Sequence, residues 1–245
     1  MSGPGPDLAE VPLALLAGGL GTRVQGICPD LPKALFQVAG SPFIAHQLAL
    51  LRRGGVRRVV VCVGHLGDQI EAYVGDGTGF GLRVQYSREG HRLLGTGGAL
   101  KQAEPLLGPL FWVMYGDSYL EVDYGEILEA FRSSPALGLM TVYRNEDRLD
   151  RSNVVFRDGR LLAYDKRHRR PDMTYIDYGL ALLRRGALAA IPAGEPYDLA
   201  DLYRGLVARG AMDAFEVHRR FYEIGSVEGL AETRRFLGAR RPGPS

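Results

Sequence analysis

Cysteine is scarce in this chain: Cys28 and Cys62 are alone among 245 residues. Their spacing suggests no zinc site, and so low a count is the usage expected of a reducing, cytoplasmic compartment. The histidines, His46, His65, His91, His168 and His218, are scattered without metal-ligand spacing. An excess of one charge is also missing, since 30 Lys and Arg face 28 Asp and Glu for a net charge of +2. No broad field for nucleic acid or a membrane surface is implied. No apolar run reaches the roughly 18 residues of a membrane span. Residues 1–10 are Gly/Pro-rich and acidic, without the basic start and apolar core of a secretion signal. No internal repeat is visible.

Glycine is abundant instead, with 33 residues, well above the usual share of about 7%. The most telling cluster follows the apolar run Val11–Leu16 and reads Ala17-Gly18-Gly19-Leu20-Gly21-Thr22-Arg23, with Pro32-Lys33 soon after. Glycines remove Cβ atoms and permit φ > 0, so successive N–H groups can face one anion. Arg23 and Lys33 add the charge that neutral amides lack. The pattern therefore points to a nucleoside triphosphate or a similar polyanion. Two familiar glycine motifs are absent. A Walker loop would end in Gly-Lys-Ser/Thr where Gly21-Thr22-Arg23 stands, and a dinucleotide fingerprint beginning at Gly19 fails at Val24.

The first half alternates expected strands (11–16, 58–63, 82–86, 110–115) with expected helices (42–53, 68–73, 96–107, 123–131). That rhythm predicts a Rossmann-like, doubly wound, mainly parallel α/β sheet. Ligands of such sheets bind beyond the carboxyl ends of the strands, where the Gly-rich loop and Asp117 both fall. The second half predicts short strands at 139–143, 153–156, 161–164, 175–183 and 214–217, a hairpin turn at Asp158-Gly159, and helices at 198–209 and 227–237. We expect a flexible start over 1–10, one domain over 11–238 and a loose tail over 239–245. Within the domain, 11–135 would serve a nucleotide and 136–238 its co-substrate.

The Gly-Arg-Pro-Lys loop resembles that of the sugar-1-phosphate nucleotidylyltransferases. The resemblance continues in order through Leu94-Gly95-Thr96-Gly97-Gly98-Ala99-Leu100, Tyr115-Gly116-Asp117, Asp165-Lys166, Asp177-Tyr178-Gly179 and Glu223-Ile224-Gly225-Ser226. In motif the chain looks most like heptose-1-phosphate guanylyltransferases. The resemblance implies the nucleotide-diphospho-sugar transferase fold, with an antiparallel sugar-binding portion. The chain ends soon after its last expected helix, and an added β-helical acyltransferase domain is not expected. The implied reaction joins a nucleoside triphosphate, GTP first, to a sugar 1-phosphate, releasing pyrophosphate.

Such a transfer needs two anions held in line and their charge screened, with little covalent work from the protein. By resemblance, Arg23 binds the β/γ-phosphates and Lys33 the α-phosphate. Leu16, Ala17, Gly18, Gly19, Gly21, Thr22, Gly95 and Thr96 would hold the nucleotide, and Asn153, Asp165, Lys166, Asp177 and Gly179 the sugar phosphate. Asp117, fixed at a strand end, and Glu223 would hold Mg2+, which favours one or two carboxylates plus phosphate oxygens. The family more often has Asp at the Glu223 position, Glu at Asp165, Asn at Asp177 and Gly at Asn153. These departures suggest an acceptor other than plain glucose 1-phosphate.

Plainer readings stand beside these: Thr96 as the cap of its own helix, Glu223 as a helix-start acid, and Arg167, His168, Arg169 and Arg170 as a solvated loop. Alternatives for function are a UTP, CTP or dTTP enzyme, an amino-sugar phosphate acceptor, a phosphocholine cytidylyltransferase with an aromatic cage, and a non-catalytic sugar-nucleotide sensor. A homodimer is common in such folds, but no sequence feature specifies one.

Overall fold

The computed structural model of the chain describes residues 7–19, 28–90 and 92–240. It begins with β1 (Leu13–Leu16), then β2 (Gln37–Val38) and β3 (Ser41–Pro42), which form a two-residue hairpin leading into α1 (Phe43–Arg53). Next come β4 (Arg58–Val63), α2 (Gly67–Val74), β5 (Arg83–Arg88), α3 (Gly95–Gln102), β6 (Leu110–Tyr115), β7 (Ser118–Tyr119) and α4 (Tyr124–Arg132). The second half holds β8 (Gly138–Arg144), β9 (Val154–Arg157), β10 (Arg160–Tyr164), β11 (Tyr175–Arg184), α5 (Leu199–Ala208), β12 (Met212–Val217), β13 (Tyr222–Glu223) and α6 (Val227–Gly238).

A nine-stranded sheet runs through both halves. Its first part is parallel: β1 lies between β6 and β4, and β5 flanks β4. The antiparallel portion starts at β11, which pairs with β6, β8 and β9, while β12 joins β8 in parallel. β9 and β10 form the expected hairpin. Asp158 and Gly159 take φ of 51° and 71°, the left-handed pair of a type I′ turn whose twist matches its strands.

Strand side chains alternate between two layers, as a sheet buried on both faces requires. Leu13, Leu15, Val59, Val61, Trp112 and Met114 pack on one face with residues of α1, α2 and α4. Ala14, Leu16, Val60, Cys62, Phe111 and Val113 pack on the other with α3 and α5. Trp112 meets Tyr124 of α4 edge-on, with centroids 5.1 Å apart. The doubly wound arrangement is therefore present, and its alternating faces are what the continuous apolar runs encode. No helix among the described residues is long and apolar enough to cross a membrane.

The largest boundary difference from the sequence expectation is at the end of α3. The helix expected over 96–107 stops at Gln102, and a 3₁₀ turn over Glu104–Leu106 follows. Pro105 accounts for this, since it has no N–H and its ring would clash with the preceding turn. The pairs β2–β3 and β7–β13 were not expected at all. A third apolar cluster, including Phe36, Val38, Tyr119, Ile224 and Leu230, packs α6 against them. β13 pairs with β7 so that Glu223 faces Ser118, and the Ile224 N–H donates to the Asp117 carbonyl at 2.9 Å.

Candidate active site

The carboxyl ends of β1 and β6 lie side by side, because β1 and β6 are parallel and in register from Leu13–Trp112 to Leu16–Tyr115. The Gly116 N–H then donates to the Leu16 carbonyl at 2.9 Å. A Cβ at Gly116 would fall 2.6 Å from that oxygen, so the close crossing requires glycine. Asp117 is thereby set at the mouth of the Gly-rich loop. The buried Gln47 of α1 braces the turn, its Nε2 donating to the Ser118 carbonyl at 2.8 Å and the Tyr115 carbonyl at 3.4 Å. A lone amide within an apolar helical stripe was the available signal for this role.

Two cavities meet at Asp117. The first, about 360 Å³, is lined by Leu16, Gly18, Gly19, Gly95 and Thr96 together with Lys33, Glu89, Tyr115 and Asp117. Lys33 Nζ donates to Asp117 Oδ2 at 2.6 Å, the acid and base being about one-fifth exposed. Ala17, expected among the nucleotide contacts, instead packs in the core, and its N–H is taken by the Cys62 carbonyl at 2.9 Å. Gly21, Thr22 and Arg23 lie outside the described residues. Glu89 was missed in the sequence. Its Oε1 accepts the Leu94 N–H at 2.6 Å, and burial raises its carboxyl above the ordinary value while that N–H opposes the rise.

Thr96 does not cap its own helix. Its hydroxyl accepts the Leu199 N–H at 2.9 Å and donates to Asp198 at 3.2 Å, so it caps α5 across the site. The Gly97 and Gly98 N–H groups converge on the Tyr197 carbonyl at 2.9 and 3.2 Å. A Cβ at Gly97 or Gly98 would approach within 2.8 Å of this segment. These two glycines therefore admit a neighbouring chain, and the members of the motif that line the cavity are Gly95 and Thr96.

Cys62 also lines the first cavity. Burial first, and the Glu89 charge second, push its thiol up to about 12, so it stays protonated at neutral pH. Brief iodoacetamide treatment of the native protein should label the exposed Cys28 and spare Cys62. Peptide mass spectrometry showing equal labelling would contradict this burial.

The second cavity, about 520 Å³, is lined by Asn153, Asp165, Lys166, Asp177, Gly179 and Glu223, and shares Tyr115 and Asp117 with the first. Gly179 has φ of 98° at an irregularity in β11, where an L side chain would be strained. There Asp177, its side chain 3% exposed, accepts the Gly179 N–H at 3.0 Å and lies 3.5 Å from Lys166 Nζ. Lys166 also donates to the Tyr115 hydroxyl at 3.3 Å and stands over that ring. Burial first, then the Asp177, Asp198 and Asp117 charges, pushes the Tyr115 phenol well up, which keeps it neutral. Asn153 is a strut as well, its Oδ1 accepting the Asp177 N–H at 2.9 Å. The Asp165 carboxylate holds the Arg167 and His168 N–H groups at 2.7 and 2.9 Å. The basic run is largely ion-paired: Arg167 to Asp201 at 2.9 Å, Arg169 to Asp147, and Arg170 to Asp172.

Glu223 turns back on its own chain. Oε2 accepts the Gly225 and Ser226 N–H groups, and Oε1 accepts the Ser226 hydroxyl at 2.5 Å. The longer side chain thus reaches the first turn of α6, where negative charge is favourable. Among the described residues no group of three or more His, Cys, Asp or Glu could hold a metal. The rest of any metal's coordination shell would come from water or substrate oxygens. Asp117, in the turn before β7, and Glu223 of β13 are hard oxygen donors of the kind Mg2+ takes together with phosphate oxygens.

The family described as nucleotidyl transferase matches residues 14–158. A curated relative named UTP–glucose-1-phosphate uridylyltransferase, from Synechocystis, is 30% identical over 87% of this chain and 60% of its own length. One named N-acetylmuramate alpha-1-phosphate uridylyltransferase, from Neisseria meningitidis, is 28% identical over 92% of this chain and 97% of its own. The chain thus spans about 60% of the Synechocystis relative and nearly all of the Neisseria one. Other relatives are named guanylyltransferases and thymidylyltransferases. A solved structure from Bacillus anthracis, titled as a glucose-1-phosphate thymidylyltransferase, shares the fold at a TM-score of 0.83, with 19% identity over 96% of this chain and 98% of that one. Fold, motif order and these relatives agree: the chain belongs to the nucleotidyl transferase family, among relatives named as sugar-1-phosphate nucleotidylyltransferases.

Proposed function

We propose that this protein transfers a nucleotidyl group from a nucleoside triphosphate to a sugar 1-phosphate. The observation that carries the reading is Asp117, held against Lys33 at 2.6 Å where two cavities meet. The 11–135 portion would take the triphosphate and the 136–238 portion the sugar phosphate.

In the reaction a phosphate oxygen of the sugar 1-phosphate forms a bond to the α-phosphorus. The bond from that phosphorus to the β-phosphate bridging oxygen breaks, and pyrophosphate leaves with the electron pair. Lys33 neutralises charge on the α-phosphate, Arg23 draws the β/γ-phosphates, and Lys166 holds the attacking phosphate over Tyr115. Preorganised charge of this kind stabilises the transition state without reorganisation. Asp117, with Glu223, would hold Mg2+, which screens the phosphate charge when bound.

GTP is the favoured nucleotide on motif resemblance to the heptose-1-phosphate guanylyltransferases. A second reading, uridylyl transfer to an amino-sugar phosphate, is favoured by the Neisseria relative, which this chain matches over nearly its whole length. The sensor reading is disfavoured by the joint presence of Lys33, Asp117 and Lys166, any of which a sensor could lose. The test is pyrophosphate release with Mg2+, crossing GTP, UTP, CTP, dTTP and ATP with a panel of sugar 1-phosphates and phosphocholine. Turnover with one pairing supports the reading and names both substrates. Nucleotide binding without turnover for any pairing would favour the sensor.

A further inference from the structure

The second cavity is lined by five acids, Asp117, Asp150, Asp165, Asp177 and Glu223, as well as by basic residues. Four basic residues line it: Arg151, Lys166, Arg167 and Arg169. Three have acidic partners: Asp177 at 3.5 Å for Lys166, Asp201 at 2.9 Å for Arg167, and Asp147 for Arg169. The Arg151 guanidinium has no ion pair or hydrogen bond of its own among the described residues. Asp147, the acid whose carboxyl feels the Arg151 charge, is already held by the Ser152 N–H at 2.9 Å and by Arg169.

The loop that carries Arg151 is built, not loose. Asn145 is fully buried. Its Nδ2 donates to the Asp150 carbonyl at 2.6 Å and to Ser152 Oγ at 3.0 Å, and its Oδ1 accepts the Leu149 N–H at 3.1 Å. Ser152 Oγ accepts the Asp147 N–H at 3.1 Å. Glu146 and Asp147 are both left-handed, with φ of 50° and 59°. Consecutive non-glycine residues in this region persist only where the surroundings impose them, and they gather at ligand clamps. The bonds fix the backbone on either side of Arg151, so little ordering of the main chain remains when a ligand arrives.

We propose that Arg151 binds a second anionic group, a carboxylate or a phosphate, carried by the acceptor sugar away from its 1-phosphate. A guanidinium forks onto either anion in two parallel hydrogen bonds, a geometry a neutral sugar hydroxyl does not match. Lys166 already serves the 1-phosphate in the mechanism above, and the proposal rests on that assignment. It narrows the acceptor to an acidic sugar phosphate.

Two acceptor pairs test it, each differing by one acidic group. N-acetylglucosamine 1-phosphate is set against N-acetylmuramate 1-phosphate for the carboxylate, and mannose 1-phosphate against mannose 1,6-bisphosphate for the phosphate. With the full chain, Mg2+ and each nucleotide, the acidic member of one pair should exceed its neutral partner in kcat/KM by about tenfold or more, the scale of a hydrogen bond to a charged group. That pair identifies the anion. Arg151→Gln, checked for native melting, should collapse the ratio. Equal or inverted preference in both pairs overturns the proposal while pyrophosphate release still upholds the transferase reading. An Arg151→Gln loss shared equally by both members of a pair also overturns it, since the residue would then merely shape the loop. If none of the four is turned over, the wider acceptor panel decides the transferase reading, and calorimetric titration of the same four compounds decides this one. Tighter binding of an acidic member, lost in Arg151→Gln, upholds it; no difference overturns it.

Discussion

Asp117→Ala should lower kcat for pyrophosphate release by about 10²–10³, the scale of a lost transition-state electrostatic contact. The reason is its shared position. Its carboxylate stands between the two cavities and touches Lys33 at 2.6 Å, so the variant removes the group proposed to hold Mg2+ and takes away Lys33's ion-pair partner. The turn itself should survive, because Gln47 holds the Tyr115 and Ser118 carbonyls independently of the Asp117 side chain. Melting close to wild type is therefore expected alongside the lost turnover. Lys33→Ala should be similarly damaging, and the double variant less impaired than the product of the two losses, since contacting residues that act as a unit are non-additive. Near-wild-type turnover in Asp117→Ala would remove Asp117 from the reaction.

Lys166→Ala should raise the KM for the sugar phosphate by about tenfold to a hundredfold, with the nucleotide KM unchanged, as expected for one charge-assisted contact. The site holds this ammonium in readiness through Tyr115 below it and Asp177 at 3.5 Å. Asp177→Ala should behave differently. It would leave the Gly179 N–H and the Tyr164 hydroxyl without their acceptor, at about 1–3 kcal/mol for each buried group left unpaired. Its signature is a lowered melting temperature together with a raised acceptor KM. Steady-state kinetics in both substrates, beside thermal melts, separates the two residues. An unchanged acceptor KM in Lys166→Ala would take it out of the acceptor site.

Much of this was legible in the chain because apolar runs end abruptly at polar residues. β4 and β6 have the bounds their valine-rich and aromatic runs predict, and the residues just past β1 and β6 bear the Gly-rich loop and Asp117. The Asp158-Gly159 hairpin followed from turn chemistry alone. What escaped was long-range. No local pattern says that Thr96 would cap a helix at Leu199, or that Gly97 and Gly98 would receive the Tyr197 carbonyl. Two-residue strands such as β7 and β13 have no periodicity to detect, although their pairing brings Glu223 beside Asp117. Glu223 itself illustrates how one methylene redirects a side chain, here onto the first turn of α6.

The reversal of strand direction at β6 has an evolutionary consequence. β6 is parallel to β1 on one side and antiparallel to β11 on the other. Each neighbour is thus the boundary of a separately variable half: β1 ends at Leu16 and the glycines follow it, while Asp177 and Gly179 lie within β11. Solvent-facing substitutions in β9, β10 and the 145–152 loop can reshape one pocket, whereas buried Val154 and Tyr164 stay tied to Ala14, Leu16, Val60 and Cys62 of β1 and β4. A lineage built on this seam can exchange one partner molecule while keeping the other, and the varied bases and sugars in its relatives' names are the diversity such a division permits.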